Sequence, residues 1–153
     1  MIVEMDLEDE TRPLRLQIFL TQPGHKLKRV VSSTKLIESE YPKDKKGQHR
    51  RNTIPDFLIE EGSLKMLTDI NNRKSRYEFR YQQNNFELIK ISRVIWDGKN
   101  TTSETEINFL TKTIVEFDQE LGSDKILNKR EKGIKINALP KIEDLSFSDL
   151  EQY

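Results

Sequence analysis

The sequence predicts an α+β fold, and three stretches carry this prediction. Residues 49–71 have the composition of a β-hairpin, with β-forming side chains on both sides of the turn signal Glu61-Gly62-Ser63. Residues 86–96 hold the strongest strand pattern in the chain. Residues 103–121 have the apolar spacing of an amphipathic helix. A chain of 153 residues is long enough for one domain with a modest core.

Composition limits the classes of function. The chain has no cysteine, which excludes a disulfide framework, a thiol nucleophile and a thiolate metal site. Its formal net charge is zero, so no overall basic field attracts it to nucleic acid. Neither a signal peptide nor an apolar run of about 20 residues is present, which predicts a cytoplasmic (intracellular) protein that does not enter a membrane.

Charge is nevertheless segregated along the chain. Residues 22–51 hold nine Lys and Arg against three acidic residues, a net of +6, whereas residues 1–10 hold five acids and no Lys or Arg. A basic first half of this kind is suited to contacts with phosphates. Interspersed charge also keeps a small domain soluble without any partner, so both interpretations stay open.

Breaks and short apolar runs are the signals that predict the secondary structure of the first fifty residues. A short helix is expected near Asp6, and residues 14–20 fit either a strand or a buried helical turn. Pro23-Gly24 is a break, and residues 27–41 are interpreted as two short strands or one bent strand. Residues 42–49 are predicted to form a basic turn or loop. Lysines are suited to phosphate as mobile point charges, so the candidate contacts here are Lys45, Lys46, Arg50 and Arg51.

The predicted hairpin carries the candidate site. Pro55 indicates an edge strand or a bulge, because proline cannot donate to the ladder. Asp56 on the first strand and Asp69 on the second are expected near each other, and two carboxylates so placed can share a divalent metal such as Mg²⁺. The alternative is a pair of solvated surface charges, which an ordinary hairpin commonly carries.

Two interpretations compete for residues 73–83. The alternation of Tyr77, Phe79 and Tyr81 favours a strand with an aromatic face, and aromatic side chains on a strand can stack on bases. The alternative is a helix with Asn72 as its N-cap. Periodicity alone prefers the strand, paired with the next strand as a hairpin.

The segment 103–121 is the clearest predicted helix. Ser103 and Glu106 have the spacing of a capping box, and Gly122 is a C-terminal stop signal. One apolar stripe is expected to face the core. Its members are Ile107, Leu110, Ile114, Phe117 and Leu121.

A separate extension is predicted beyond the stop signal. A short helix is expected over 124–132 and a strand over 134–139. The acidic tail that follows is interpreted as a partner-binding peptide or a disordered end. The chain is therefore divided into a core domain, residues 1–122, and a C-terminal extension or docking tail, residues 123–153.

Several of these stretches together resemble the PD-(D/E)-x-K nucleases, and more narrowly the TnsA-type endonuclease subunits of heteromeric transposases. Residues 50–59, R-R-N-T-I-P-D-F-L-I, resemble that family's basic residues followed by P-D-F-L-V. Residues 67–71 stand where the family has its second acid and its lysine. Residues 86–91 resemble the family's next strand, and residues 107–110 resemble its N-x-x-F-L segment.

The resemblance implies a restriction-endonuclease-like mixed sheet with flanking helices and a short C-terminal helical extension, and it selects a helix over 73–83. It implies a DNA endonuclease subunit in transposition, which hydrolyses phosphodiester bonds with Mg²⁺ or Mn²⁺ beside a transposase and an ATPase regulator. In that site Asp56 and Asp69 hold the metal, and Asn71 replaces the family's lysine. Backbone phosphates are gripped by Arg50, Arg51, Lys45, Lys46 and Lys65.

Asparagine hydrogen-bonds but carries no charge, so the resemblance is compatible with an active variant or with a degenerate copy. The competing function is a non-catalytic module, viral, phage or bacterial, with a small β-barrel or β-rich fold that binds nucleic acid or protein. A helix over 73–83 favours the nuclease, and a strand there favours the binding module. No Gly-rich phosphate loop is present, so nucleotide hydrolysis by this chain is not expected. No small-molecule cofactor is expected either.

Overall fold

The computed structural model describes residues 1–38 and 54–153, and these residues are almost entirely β. Strands account for 57% of them and helix for 4%, so the predicted α+β fold with flanking helices is wrong. The chain divides into two compact units. The first comprises 1–54, 83–85 and 141–153, and the second comprises 55–82 and 86–140. In the described part of the chain, no helix has the length and apolar character needed to cross a membrane.

A three-stranded antiparallel sheet, in the order β1-β2-β3, forms the first unit. Its strands are β1 (Ile2–Met5), β2 (Leu14–Thr21) and β3 (Leu27–Ser33). Leu14, Leu16 and Ile18 alternate along β2 and are buried, because successive side chains of a strand point to opposite faces. The stretch that fitted either a strand or a helical turn is therefore a strand. Around Asp6 the chain bends instead of forming the expected helix.

The first unit also contains the helix α1 (Phe147–Gln152). Ser146 and Asp149 form its capping box, since the backbone N–H of each donates to the side chain of the other, over 2.8 and 3.1 Å. The N–H of Phe147 donates to the carbonyl oxygen of Lys35 over 2.8 Å, and Leu150 is fully buried. These contacts tie the end of the described chain to the first unit.

The second unit is a seven-stranded antiparallel meander in the order β10-β9-β8-β7-β6-β5-β4. Its strands are β4 (Asp56–Glu60), β5 (Ser63–Ile70), β6 (Arg73–Gln82), β7 (Asn85–Trp96), β8 (Thr101–Asn108), β9 (Thr113–Glu120) and β10 (Ile126–Gly133). The hairpin predicted over 49–71 is confirmed by β4 and β5, and its residues 49–53 lie outside the described residues. The strand predicted over 86–96 is confirmed within β7. Pro55 immediately precedes β4, which is an edge strand of this sheet as proline indicated.

Three two-residue turns join the strands from β4 to β7. They are Glu61-Gly62, with φ of 51° and 76°, Asn71-Asn72, with 53° and 62°, and Gln83-Asn84, with 50° and 64°. Positive φ at both central residues is the requirement of a type I′ hairpin turn, whose twist matches that of the flanking strands. Asn72 is therefore a turn residue and not the N-cap of a helix.

The helix that the resemblance selected over 73–83 is wrong, because this stretch is β6. Tyr77 and Phe79 are fully buried and lie opposite Met66 and Leu64 of β5. Their period of two matches a half-buried strand, which is what the alternation by itself favoured.

The helix predicted over 103–121 is also wrong, and β8 and β9 take its place. Ile107 lies opposite Ile114 across the hairpin and is 1% exposed. Leu110 is in the connecting turn and is 50% exposed, so the apolar stripe does not form one buried face. The stretch holds three threonines, two isoleucines and one valine, residue types that pack well on a pleated surface and favour strands.

The predicted capping signals of that helix make contacts between strands. The hydroxyl of Ser103 donates to Asp118 Oδ1 over 2.7 Å, and Glu106 pairs with Lys90 at 3.5 Å. Farther along the chain, the helix predicted over 124–132 is wrong, because most of this stretch belongs to the strand β10. Residues 134–139, predicted as a strand, have irregular structure.

Candidate ligand-binding site

Three turns of the meander lie at one end of the sheet. Antiparallel neighbours run in opposite directions, so the turns after β5, β7 and β9 share that end. A cleft of about 380 Å³ opens there. Its lining residues, all from the second unit, are Asp69, Asn72, Lys74, Val94, Trp96, Thr102 and Leu121. We call this feature the Trp96 cleft.

The strand register determines which residues form the polar side of the Trp96 cleft and which form its apolar side. Asp69 and Lys74 are direct partners across β5 and β6, and Trp96 and Thr102 are direct partners across β7 and β8. Direct partners in an antiparallel pair point to the same face. The cleft therefore has an acid and a base on one side and an aromatic ring on the other.

Trp96 is the only tryptophan in the sequence and is 50% exposed. Its indole Nε1 donates to the carbonyl oxygen of Lys99 over 3.2 Å. Because the one polar group of the indole is already bonded, the exposed surface of this side chain is the apolar ring.

The turn that follows Trp96 is held by several hydrogen bonds. Asp97 Oδ1 accepts from the N–H groups of Lys99 and Thr101, over 2.7 and 3.1 Å. The N–H of Leu121 donates to the carbonyl oxygen of Asn100 over 2.8 Å. These bonds fix the acceptor that orients Trp96 and join the turn to the residue that follows β9. The apolar wall of the cleft is therefore organised before any ligand arrives.

The polar side of the cleft has free hydrogen-bonding capacity. Asp69, Asn72 and Lys74 are exposed, and within residues 1–38 and 54–153 their side chains make no hydrogen bond or ion pair. Together they supply an acceptor, an amide that both donates and accepts, and a donor. Thr102 differs, because its hydroxyl already donates to Glu104 Oε1 over 3.2 Å.

The two aspartates predicted as metal ligands lie on one face of the sheet. Asp56 is opposite Leu67, two residues before Asp69, which makes the two acids diagonal neighbours. Of the pair, Asp69 lines the Trp96 cleft. Across the described part of the chain, no three His, Asp or Glu side chains are grouped so as to hold a metal ion. The metal site that the resemblance implies therefore stays a prediction that rests on Asp56 and Asp69.

Asn71, predicted at the position of the catalytic lysine, is the first residue of the turn between β5 and β6. It is exposed and has a φ of 53°. Asparagine tolerates this left-handed conformation better than lysine does, so the turn accounts for the residue type at this position.

Lys65, predicted to contact DNA, has only 8% of its side chain exposed and pairs with Glu60. The hydrogen bond between them raises the pKa of Lys65 above its ordinary value and lowers the pKa of Glu60 below its own. The other predicted DNA contacts lie outside the described residues; they are Arg50, Arg51, Lys45 and Lys46.

Sequence reasoning missed the apolar half of the cleft. Trp96 was assigned to a strand and Leu121 to a helical stripe, and Val94 and Thr102 were not singled out. One signal was present: the lone tryptophan directly precedes the Asp97-Gly98 turn, where a large apolar side chain is poorly placed for a core.

Comparison of the chain with known proteins gives no match. No protein-family model, no curated protein and no solved structure matches the chain.

Proposed function

We propose that this chain is a non-catalytic binding module whose ligand occupies the Trp96 cleft. It shares the non-catalytic, β-rich character of the competing function named above, but its ligand is defined by the cleft and is not restricted to nucleic acid or protein. The single observation that supports it is the combination, in one concave site, of an exposed preorganised indole and three polar side chains with free hydrogen-bonding capacity.

The composition of the cleft supports this proposal. Ligand sites are usually concave and mostly apolar, with a few polar groups that fix the orientation of the ligand. Val94, Trp96 and Leu121 supply the apolar part here, and Asp69 and Lys74 supply charges of opposite sign. The volume of about 380 Å³ is at the small end of the usual range, which favours a small ligand or one residue of a longer one.

Trp96 is also the natural reporter for a test, because it is the only tryptophan and lines the cleft. We would titrate the chain with neutral and anionic saccharides, short peptides and nucleotides, and follow tryptophan emission. We expect members of one class to shift the emission, to protect the indole from acrylamide quenching and to raise Tm by mass action.

Two leucines give a matched pair of variants. Leu121 lines the cleft and is 55% exposed, whereas Leu110, in the β8–β9 turn, is 50% exposed and lies outside it. Leu121→Arg should abolish the emission response and Leu110→Arg should leave it intact. No response to any of the four classes, or an equal loss in both variants, would overturn the proposed function.

A further inference from the structure

We propose that the ligand of the Trp96 cleft is a neutral saccharide, with a sugar ring stacked on the indole of Trp96 and its hydroxyl groups bonded to Asp69, Asn72 and Lys74. This inference rests on the proposed function of the cleft. It adds the chemical class of the ligand, which follows from the surfaces that the cleft presents.

The apolar wall requires a ligand with one flat apolar face. Trp96 offers its ring surface, since its Nε1 is bonded to Lys99, and Val94 and Leu121 extend that surface without polar groups. A pyranose ring has such a face in its axial C–H groups, which can lie against the electron-rich face of an indole.

The polar side requires groups that both donate and accept. The carboxylate of Asp69 only accepts and the ammonium group of Lys74 only donates, while the amide of Asn72 does both. A hydroxyl group can satisfy any of the three, because it carries one donor and two acceptor lone pairs. Adjacent hydroxyl groups on a sugar ring therefore match this side of the cleft better than a ligand with donors alone or acceptors alone.

The charges argue against an ionic ligand. Asp69 and Lys74 are direct cross-strand partners with opposite charges, so they cancel at the site. A phosphate or carboxylate that is attracted by Lys74 is repelled by Asp69. A cation that is attracted by Asp69 is repelled by Lys74. A neutral polyol forms hydrogen bonds to both charged groups, and bonds to charged groups are stronger than bonds between neutral ones.

The position of the cleft argues against a peptide bound as an added strand. Such peptides pair with the edge of a sheet through main-chain hydrogen bonds. The edges of this sheet are β4 and β10, whereas the cleft residues come from β5 to β8, the turn after β5 and the residue following β9. Its side-chain groups face a ligand that lies across the strands.

The test uses the whole chain on an array of neutral and anionic oligosaccharides, followed by calorimetry with the best soluble binder. We expect a neutral oligosaccharide to bind, and Trp96→Ala to weaken it at least about tenfold. Trp96→Phe should keep most of the affinity, because it retains an aromatic face. Ile59→Ala is the control, since Ile59 is 79% exposed on the edge strand β4 and lies outside the cleft.

Asp69→Asn separates a neutral ligand from a cationic one. The amide keeps an acceptor oxygen and loses the charge, so a neutral sugar should lose only a few-fold in affinity, whereas a cation should lose far more. Circular dichroism and Tm would be recorded for every variant. If Trp96→Ala fails to fold, Leu121→Arg replaces it as the variant that blocks the cleft.

The outcomes distinguish this inference from the function on which it rests. If peptides or nucleotides, and no saccharide, shift Trp96 emission in a manner that Leu121→Arg abolishes, the saccharide is wrong and the binding module stands. Preference for anionic sugars, or binding that is unchanged in Trp96→Ala, also overturns the inference. If none of the four ligand classes binds, both proposals are wrong.

Discussion

Ile107 and Ile114 face each other across the β8–β9 hairpin, and this pairing explains why a stripe with helical spacing forms two strands. Ile107 is 1% exposed, whereas Leu110, three residues later in the same stripe, is 50% exposed. In the predicted helix, both side chains would face the core. In the observed sheet, only one of them does.

Truncation of Ile107 and of Leu110 distinguishes the predicted helix from the observed sheet. We expect Ile107→Ala to lower the free energy of unfolding by about 2–5 kcal/mol, because it leaves a cavity in a packed core. Leu110→Ala should change it by no more than about 0.5 kcal/mol, as is usual for exposed sites. Urea denaturation measures both values. Similar large losses in the two variants would support the helix and contradict the sheet.

The turn at Asn71 provides a second test, because its backbone conformation and its predicted catalytic role make different demands. With a φ of 53°, this position suits glycine and disfavours alanine. We expect Asn71→Ala to destabilise the protein by about 1 kcal/mol or more, and Asn71→Gly to be nearly neutral. Chemical denaturation of both variants measures this. Equal destabilisation by glycine and alanine would show that the asparagine side chain, and not the turn, is what the position requires.

The Glu60–Lys65 pair predicts a particular dependence of stability on pH. Hydrogen bonding to Lys65 lowers the pKa of Glu60 below its ordinary 4.5, so this contribution is present above about pH 4.5 and is lost as the pH falls through the folded-state pKa. Hydrogen bonding to Glu60 raises the pKa of Lys65 above 10.5, so that contribution is present below about pH 10.5 and is lost as the pH rises through the folded-state pKa.

Glu60→Gln should therefore have a lower Tm than the parent chain near neutral pH. The difference should shrink below pH 4.5 and above pH 10.5, the ordinary pKa values of the two groups. Melting curves from pH 3 to pH 11 (about one point per pH unit) test the shape. Glu120→Gln is the control, because Glu120 is exposed and its side chain makes no hydrogen bond or ion pair within the described residues. A Tm difference for Glu60→Gln that stays constant with pH would contradict the pairing.

Asp97 is expected to control the mobility of Trp96 through the turn that follows the indole-bearing residue. Asp97→Ala removes the acceptor of two N–H groups in the turn that carries the Lys99 carbonyl oxygen. We expect a loss of about 1 kcal/mol in stability and a clear rise in acrylamide quenching of Trp96. Asp124→Ala, in the turn after β9, should leave quenching unchanged, and equal quenching in both variants would refute the role of Asp97.

A plasmid assay tests the nuclease interpretation directly. We expect no nicking of supercoiled DNA, with Mg²⁺ or Mn²⁺, that depends on Asp56. The reason is that residues 73–82 form the strand β6, whereas the nuclease interpretation selected a helix there. Asp56→Ala is the comparison. Nicking by the parent chain that disappears in this variant would restore the endonuclease as the function.

Sequence-based prediction succeeds where the structure depends on neighbouring residues and fails where it depends on residues far apart in the chain. Type I′ turns depend on two adjacent residues, so Glu61-Gly62 and the hairpin around it were predictable. The alternation of Tyr77 and Phe79 correctly favoured a strand, and the family resemblance replaced it with a helix. The helix predicted over 103–121 is wrong for another reason. The apolar spacing of this stretch fits a helix, and only the pairing of β8 with β7 and with β9 selects the hairpin.

Local patterns in the sequence identified the turn at Glu61-Gly62, the alternation of Tyr77 and Phe79, and the absence of cysteine chemistry, but they did not identify the turn between β8 and β9. Tertiary structure decided the candidate site. Asp69 and Trp96 are 27 positions apart, and Leu121 follows another 25 positions later. They line one cleft because the meander brings alternate turns to the same end of the sheet, and no local pattern encodes that proximity.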